Sequence, residues 1–139
     1  MPSRFKSRQQ ALQTLFLWDL RRQPVSEILR DYYGSLSIEE GAPEAEPDIF
    51  AEELATGAIK QVAAIDALIT AHSAHWRIER MPAVDRNVLR LAIYEMKNLA
   101  TPSAVVIDQA IELARRFSGD ESIPFLNGVL DAVNRALRD

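Results

Sequence analysis

The tract from Val106 to Val133, VIDQAIELARRFSGDESIPFLNGVLDAV, constrains the fold more than any other part of the chain. Its apolar residues recur at helical spacing on both sides of a short acidic break: Val106, Ile107, Ala110, Ile111, Ala114 and Phe117 before it, Val129, Leu130 and Val133 after it. Each half needs a partner for one face, and so short a connection returns the second half antiparallel to the first. Gly119 breaks the first helix, and Ser122 with Pro124 in the opening turn restarts the second, because proline's missing N–H costs nothing there. The tract is a helical hairpin.

The rest of the chain repeats this grammar. Ala11, Leu12, Leu15 and Phe16 form a stripe on a helix spanning Arg8 to Leu20. Pro24 ends it or starts the next, which runs through Ile28, Leu29, Tyr32 and Tyr33 to Gly34. Residues 35–47 contain Gly41, Pro43 and Pro47 among acids and read as a loop and linker. From Asp48, the positions Phe50, Leu54, Ala58, Val62, Ile65, Leu68 and Ile69 keep one helical rhythm and predict one long helix. A brief turn over Trp76–Met81 precedes Pro82, and a helix over Ala83–Leu99 follows. No segment sustains the period-two alternation of a strand. The expectation is an all-α chain of about seven helices in two antiparallel three-helix bundles. It forms a single domain, 1–139, with an N-terminal helical subdomain at about 1–72 and a C-terminal one at about 76–139.

Composition excludes several classes. Without cysteine there is no disulfide framework, thiolate nucleophile or sulfur-ligated metal. The five glycines never form a phosphate-cradling loop. His72 and His75 are spaced i, i+3 but lack an evident third ligand, and they suit the C-terminal end of a helix dipole. Glu39–Glu40 and Glu52–Glu53 are sequence neighbours whose side chains diverge on a helix, so neither is an acid/base couple. No enzymatic activity, no cofactor and no metal are expected. No apolar run approaches the roughly 20 residues of a membrane span, and a cytoplasmic protein is the default.

The net charge of −4 hides an asymmetry. Residues 1–22 carry Arg4, Lys6, Arg8, Arg21 and Arg22 against Asp19 alone, whereas 23–59 set Arg30 against nine acids. Exposed charges act over about 8–10 Å at physiological salt, so local sign matters more than the total. The opening run Arg4, Lys6, Ser7, Arg8 and Gln9 supplies cations, a hydroxyl and an amide at a helix start, the groups that bind phosphate. A solvated, frayed terminus has the same composition. Phe125, near Glu121 in the acidic break, either stacks on unpaired bases or, by its spacing to Val129 and Leu130, packs in the core. Leu15 to Leu20 is apolar around more than one face, which offers Phe16 and Leu20, with Ile78 and Asp85 elsewhere, as a protein-facing surface, while Trp18 is better enclosed.

Four blocks carry a family resemblance: Arg8-x-x-Ala11-Leu12-Gln13-x-Leu15-Phe16-x-Trp18-Asp19-Leu20; Val84-Asp85-Arg86-x-Val88-Leu89-Arg90-Leu91-Ala92-x-Tyr94-Glu95; Val106-Ile107-Asp108-x-Ala110-Ile111-Glu112-Leu113-Ala114; and Phe125-x-Asn127-Gly128-Val129-Leu130-Asp131. In these, over essentially its whole length, the chain resembles the NusB family of transcription antitermination factors. The resemblance implies two three-helix bundles without enzymatic activity. It also implies binding to the boxA element of ribosomal-RNA leader transcripts jointly with NusE, a small-subunit ribosomal protein, in a complex that lets RNA polymerase read through terminators. By position it implies RNA contact at Arg4, Lys6, Arg8 and Phe125 with Glu121 nearby, and NusE contact at Phe16 and Asp85. Phe5, Ser7 and Gln9 interrupt the basic run where some relatives carry consecutive arginines, so low RNA affinity without NusE is expected. Some relatives dimerise, and a monomer or weak homodimer is expected here. The same bundle occurs as the N-terminal RNA-recognition domain of ribosomal-RNA cytosine methyltransferases, which keeps a second reading open. A protein-binding scaffold is a third.

Overall fold

The computed structural model describes residues 3–31, 48–74 and 76–138. Among them, seven α-helices and two 3₁₀ turns account for all regular structure, with no strand. The helices are α1 (Arg4–Arg21), α2 (25–31), α3 (Ile49–Lys60), α4 (Val62–His72), α5 (Ala83–Asn98), α6 (Ser103–Phe117) and α7 (Ile123–Arg138); the turns are Ile78–Arg80 and Asp120–Ser122. The predicted stretch Tyr32–Gly34, the acidic loop 35–47 and His75 lie outside the described residues.

α1 begins one turn earlier than its apolar stripe requires. Ser3 caps it, its hydroxyl accepting from the Lys6 N–H at 3.1 Å, which satisfies one of the orphan donors of a helix start. At the far end Arg22 adopts a left-handed backbone (φ 57°) and its N–H closes on the Trp18 carbonyl at 2.7 Å.

The long helix expected from Asp48 is two helices. It breaks at Gln61, and α3 and α4 meet at 75°. Apolar rhythm continues through the break, so tertiary packing decides it: α3 packs on α1 and α5, whereas α4 packs on α5 and α7. A paired amide contact fixes the corner, Gln61 Nε2 donating to Asn98 Oδ1 and Asn98 Nδ2 to Gln61 Oε1, each at 3.2 Å.

α5 is the axis of the molecule. It packs on α1, α3, α4, α6 and α7, and every residue from Asn87 to Tyr94 is buried, with Glu95 beyond. Val88, Leu89, Ile93, Leu113, Leu126 and Leu130 are almost wholly sealed in one continuous core. Each such side chain is worth about 1.5–3 kcal/mol on leaving water. A helix enclosed on all sides must also satisfy whatever polar groups it carries. Asp85, Asn87, Arg90 and Glu95 are all hydrogen-bonded.

One of these networks centres on Asp19 of α1, whose side chain is 4% exposed. Its carboxylate accepts from Arg86 Nε at 2.6 Å, Asn87 Nδ2 at 3.1 Å and Arg22 Nη2 at 3.0 Å, with Arg90 Nη1 at 3.3 Å. Arg90 in turn forms a two-pronged pair with Asp66 of α4, so α1, α4 and α5 share one charge cluster. Burial pushes the Asp19 pKa up, but the Arg86 hydrogen bond, the Arg90 charge and the Asn87 hydrogen bond together outweigh it and hold the carboxyl below its ordinary value of 3.8. A carboxyl depressed in the folded state adds stability that is complete above its unfolded pKa and is lost as pH falls through the folded value. Asp19→Asn is therefore expected to lower stability at neutral pH and to flatten the acid limb below about pH 4 in urea-unfolding midpoints measured across pH. An acid limb as steep as the wild type's would show that other carboxylates set it.

Candidate nucleic-acid interface

The first turn of α1 is where the chain's positive charge meets a fixed scaffold. Arg4 is exposed, and its guanidinium lies 3.8 Å from the centroid of Phe50 on α3. Lys6 is exposed and Gln9 half-buried. Two other members of the run point inward. Ser7 is 2% exposed and donates to Asp48 Oδ2 at 2.6 Å, the same Asp48 that caps α3 through the Ala51 N–H. Arg8 is 5% exposed, its Nε and Nη2 gripping the two oxygens of Glu95 at 2.8 and 2.6 Å while Nη1 donates to Gln109 of α6 at 3.2 Å.

The expectation that Ser7 and Arg8 face phosphate is thus corrected. A guanidinium that is almost wholly buried and holds a carboxylate in a two-pronged grip is not exposed enough to reach a strand. The pair instead fixes how α1 lies against α5 and α6, and leaves Arg4 and Lys6 as the outward cations of the run.

The second element is the start of α7. Gly119 (φ 150°) makes the sharp turn out of α6, in a backbone region that side chains rarely adopt. Glu121 is exposed in the 3₁₀ turn that follows. Phe125 is half-buried against the core, and the half-exposed ring of Trp76 meets it at 6.1 Å between centroids, tilted by 59°. Phe125 therefore packs in part on the core and leaves part of its ring open to solvent. Trp76 as its companion had no local signal, because the two rings are far apart in sequence.

The expected protein-facing residues separate in the same way. Phe16 (38% exposed) and Leu20 (72%) stand one turn apart on α1, a small apolar strip open to solvent. Ile78 is half-buried and lines a surface pocket with Thr70, Arg77, Glu79 and Arg80. Asp85 is 3% exposed, and its carboxylate accepts from the hydroxyls of Ser118 and Ser122, the latter at 2.9 Å. Its expected role as a surface contact is corrected. It ties the first turn of α5 to the α6–α7 connection, where a carboxylate also suits the helix dipole. Trp18 is enclosed as expected, with the Arg22 guanidinium 4.1 Å from its ring.

No group of three or more histidine, cysteine, aspartate or glutamate side chains among the described residues is placed to hold a metal ion. No single described helix is long and apolar enough to cross a membrane.

An all-α protein that packs its helices around one buried helix, with cations in the first turn of its first helix and an exposed apolar strip further along it, has the build of a binding adaptor. The NusB family model matches residues 5–135. A transcription antitermination protein NusB of Solibacter usitatus is 53% identical over 99% of this chain and 92% of that protein, and one of Koribacter versatilis is 45% identical over 97% and 90%. Among solved structures, NusB of T. maritima superposes with a TM-score of 0.81 at 30% identity, covering 96% of this chain and 92% of that one. A chain of the crystal structure of antitermination factors NusB and NusE in complex with dsRNA gives the same TM-score at 26% identity, covering 96% of each chain. The chain belongs to the NusB family of transcription antitermination proteins, which are not enzymes.

Proposed function

We propose that this chain binds the boxA element of ribosomal-RNA leader transcripts jointly with NusE, and through that complex promotes read-through by RNA polymerase. The observation that carries this reading is the shared fold, over 96% of both chains, with a structure that contains NusB, NusE and RNA together. The layout of α1 supports it. Lys6 and Phe16 are ten residues apart in one helix, about 15 Å along its axis at 1.5 Å per residue. One rigid rod thus offers a phosphate-seeking end and an apolar end that do not compete for space. The exposed side of Phe125, with Trp76 beside it, offers a base a stacking surface worth about 1–3 kcal/mol.

The test is fluorescence anisotropy with labelled boxA RNA across a salt series, with and without NusE. Each phosphate contact to a single strand contributes about 0.7 to the slope of log affinity against log salt. Replacing Arg4 and Lys6 together with alanine is expected to reduce that slope by about 1.4 and to weaken binding at every salt concentration. Replacing Phe16 and Leu20 with alanine is expected to weaken NusE capture while leaving the NusE-free salt slope unchanged. Wild-type affinity and slope in the Arg4/Lys6 variant would overturn the phosphate role of α1.

A further inference from the structure

We propose that Arg116, in the last turn of α6, is a phosphate-binding residue that continues the cationic track of α1 across the helix boundary, seated there by Phe5. The inference rests on the RNA-binding reading above and adds a residue to it.

The burial of Arg8 removes one of three cations from the α1 run. Arg116 stands in its place from another helix. Its guanidinium lies 4.7 Å from the centroid of Phe5, the residue between Arg4 and Lys6, and its side chain is 56% exposed. Phe5 itself is half-buried and packs on the core, so the ring is a fixed seat and not a mobile one. The same turn makes a second contact of this kind, with Arg4 over Phe50 of α3. Two aromatic rings thus hold two arginines at α1's first turn, with the exposed Lys6 on that same turn. A cation over an aromatic face loses little of its charge to the ring and part of its side-chain freedom, which lowers the ordering cost when a phosphate arrives.

The competing partner is Glu112, one turn back on α6. It pairs closely with Arg115 at 2.7 Å and only loosely with Arg116 at 3.5 Å. All three side chains are more than a third exposed, so these pairs are weak and screened. Arg116 is the freer of the two arginines. A surface pair at the C-terminal end of a helix, where cations suit the dipole, explains why an arginine is tolerated there. It does not explain why that guanidinium lies against Phe5 on the neighbouring helix.

The probe is a labelled single-stranded RNA of about 12 nucleotides, titrated across a salt series with the full chain, with and without NusE. Arg116→Ala is expected to lower the salt slope by about 0.7, as the loss of one phosphate contact should. Arg116→Lys should restore the slope, since a phosphate needs only the charge. Phe5→Leu should keep the slope and lose affinity several-fold, the charge being present but unseated. Glu112→Gln should raise affinity, a direction that damage to the fold does not produce. Unfolding midpoints for the two Arg116 variants should match the wild type. If the Arg4/Lys6 double variant loses slope while Arg116→Ala keeps it, Arg116 is outside the track although the RNA-binding reading stands. A wild-type chain without salt-dependent binding, with or without NusE, would overturn both.

Discussion

Glu95→Ala is expected to destabilise the fold by about 3–5 kcal/mol, the cost of leaving a buried charge without its partner. Glu95 is 1% exposed and Arg8 5%, and the two meet through a pair of charge-assisted hydrogen bonds. Truncation leaves the guanidinium in the interior with the Gln109 side-chain amide oxygen as its one hydrogen-bond partner among the described residues. Arg8→Ala should cost less than Glu95→Ala, because an orphaned carboxyl can take up a proton whereas a guanidinium cannot shed one. The double replacement Arg8→Met with Glu95→Leu removes both charges and keeps the volume, and should recover most of the loss. Urea midpoints of the four proteins measure this directly. A Glu95→Ala midpoint near that of the wild type would mean that water reaches the guanidinium. The comparison also separates structure from recognition: the doubly apolar protein should keep the wild-type salt slope for RNA, since neither residue faces a phosphate.

The same pair shows what was legible in the chain and what was not. Helices announce themselves by spacing, and α1, α5, α6 and α7 stand close to where the apolar periods place them. The break at Gln61 does not, because the rhythm passes through it unchanged and the corner is fixed by Asn98, distant in sequence. Arg8 looked like its neighbours Arg4 and Lys6 as a member of a basic run, and the acid it pairs with is 87 residues away. A signal was nevertheless present. Arg8 lies three and four residues before Ala11 and Leu12, on the stripe that α1 buries, whereas Lys6 lies off it. Asp85 stands in the same relation to Val88 and Leu89 on α5. A charge on the apolar line of a helix is better read as one half of a buried pair than as a ligand contact. Arg116 carried no such mark, because only the folded chain brings it to Phe5. The fold was therefore written locally, while the division of the cations between interior and surface was set by contacts between helices.

Gly57→Ala is expected to destabilise the protein by about 1–3 kcal/mol even though alanine favours a helix interior by about 1 kcal/mol over glycine. A Cβ at position 57 would lie 2.1 Å from Cζ and 2.3 Å from Oη of Tyr94, well inside van der Waals contact. Tyr94 is 8% exposed on α5, so its ring has little room to swing aside. Glycine in the middle of α3 is thus the condition for the close approach of α3 to α5. The decisive comparison is made with Tyr94→Ala, which by itself should cost about 3–5 kcal/mol through the cavity it leaves. In that background the obstacle is gone, and Gly57→Ala should reverse sign and stabilise by up to about 1 kcal/mol. Unfolding midpoints for the four proteins of the cycle report the reversal, and the same cost in both backgrounds would refute the steric account. The consequence extends to the candidate interface. α3 carries Phe50 and is capped by Asp48, which hold Arg4 and Ser7 of α1. A shift of α3 away from α5 should loosen the seat of Arg4, so Gly57→Ala is expected to weaken RNA binding from a site buried between two helices, with the salt slope preserved because every cation is still present.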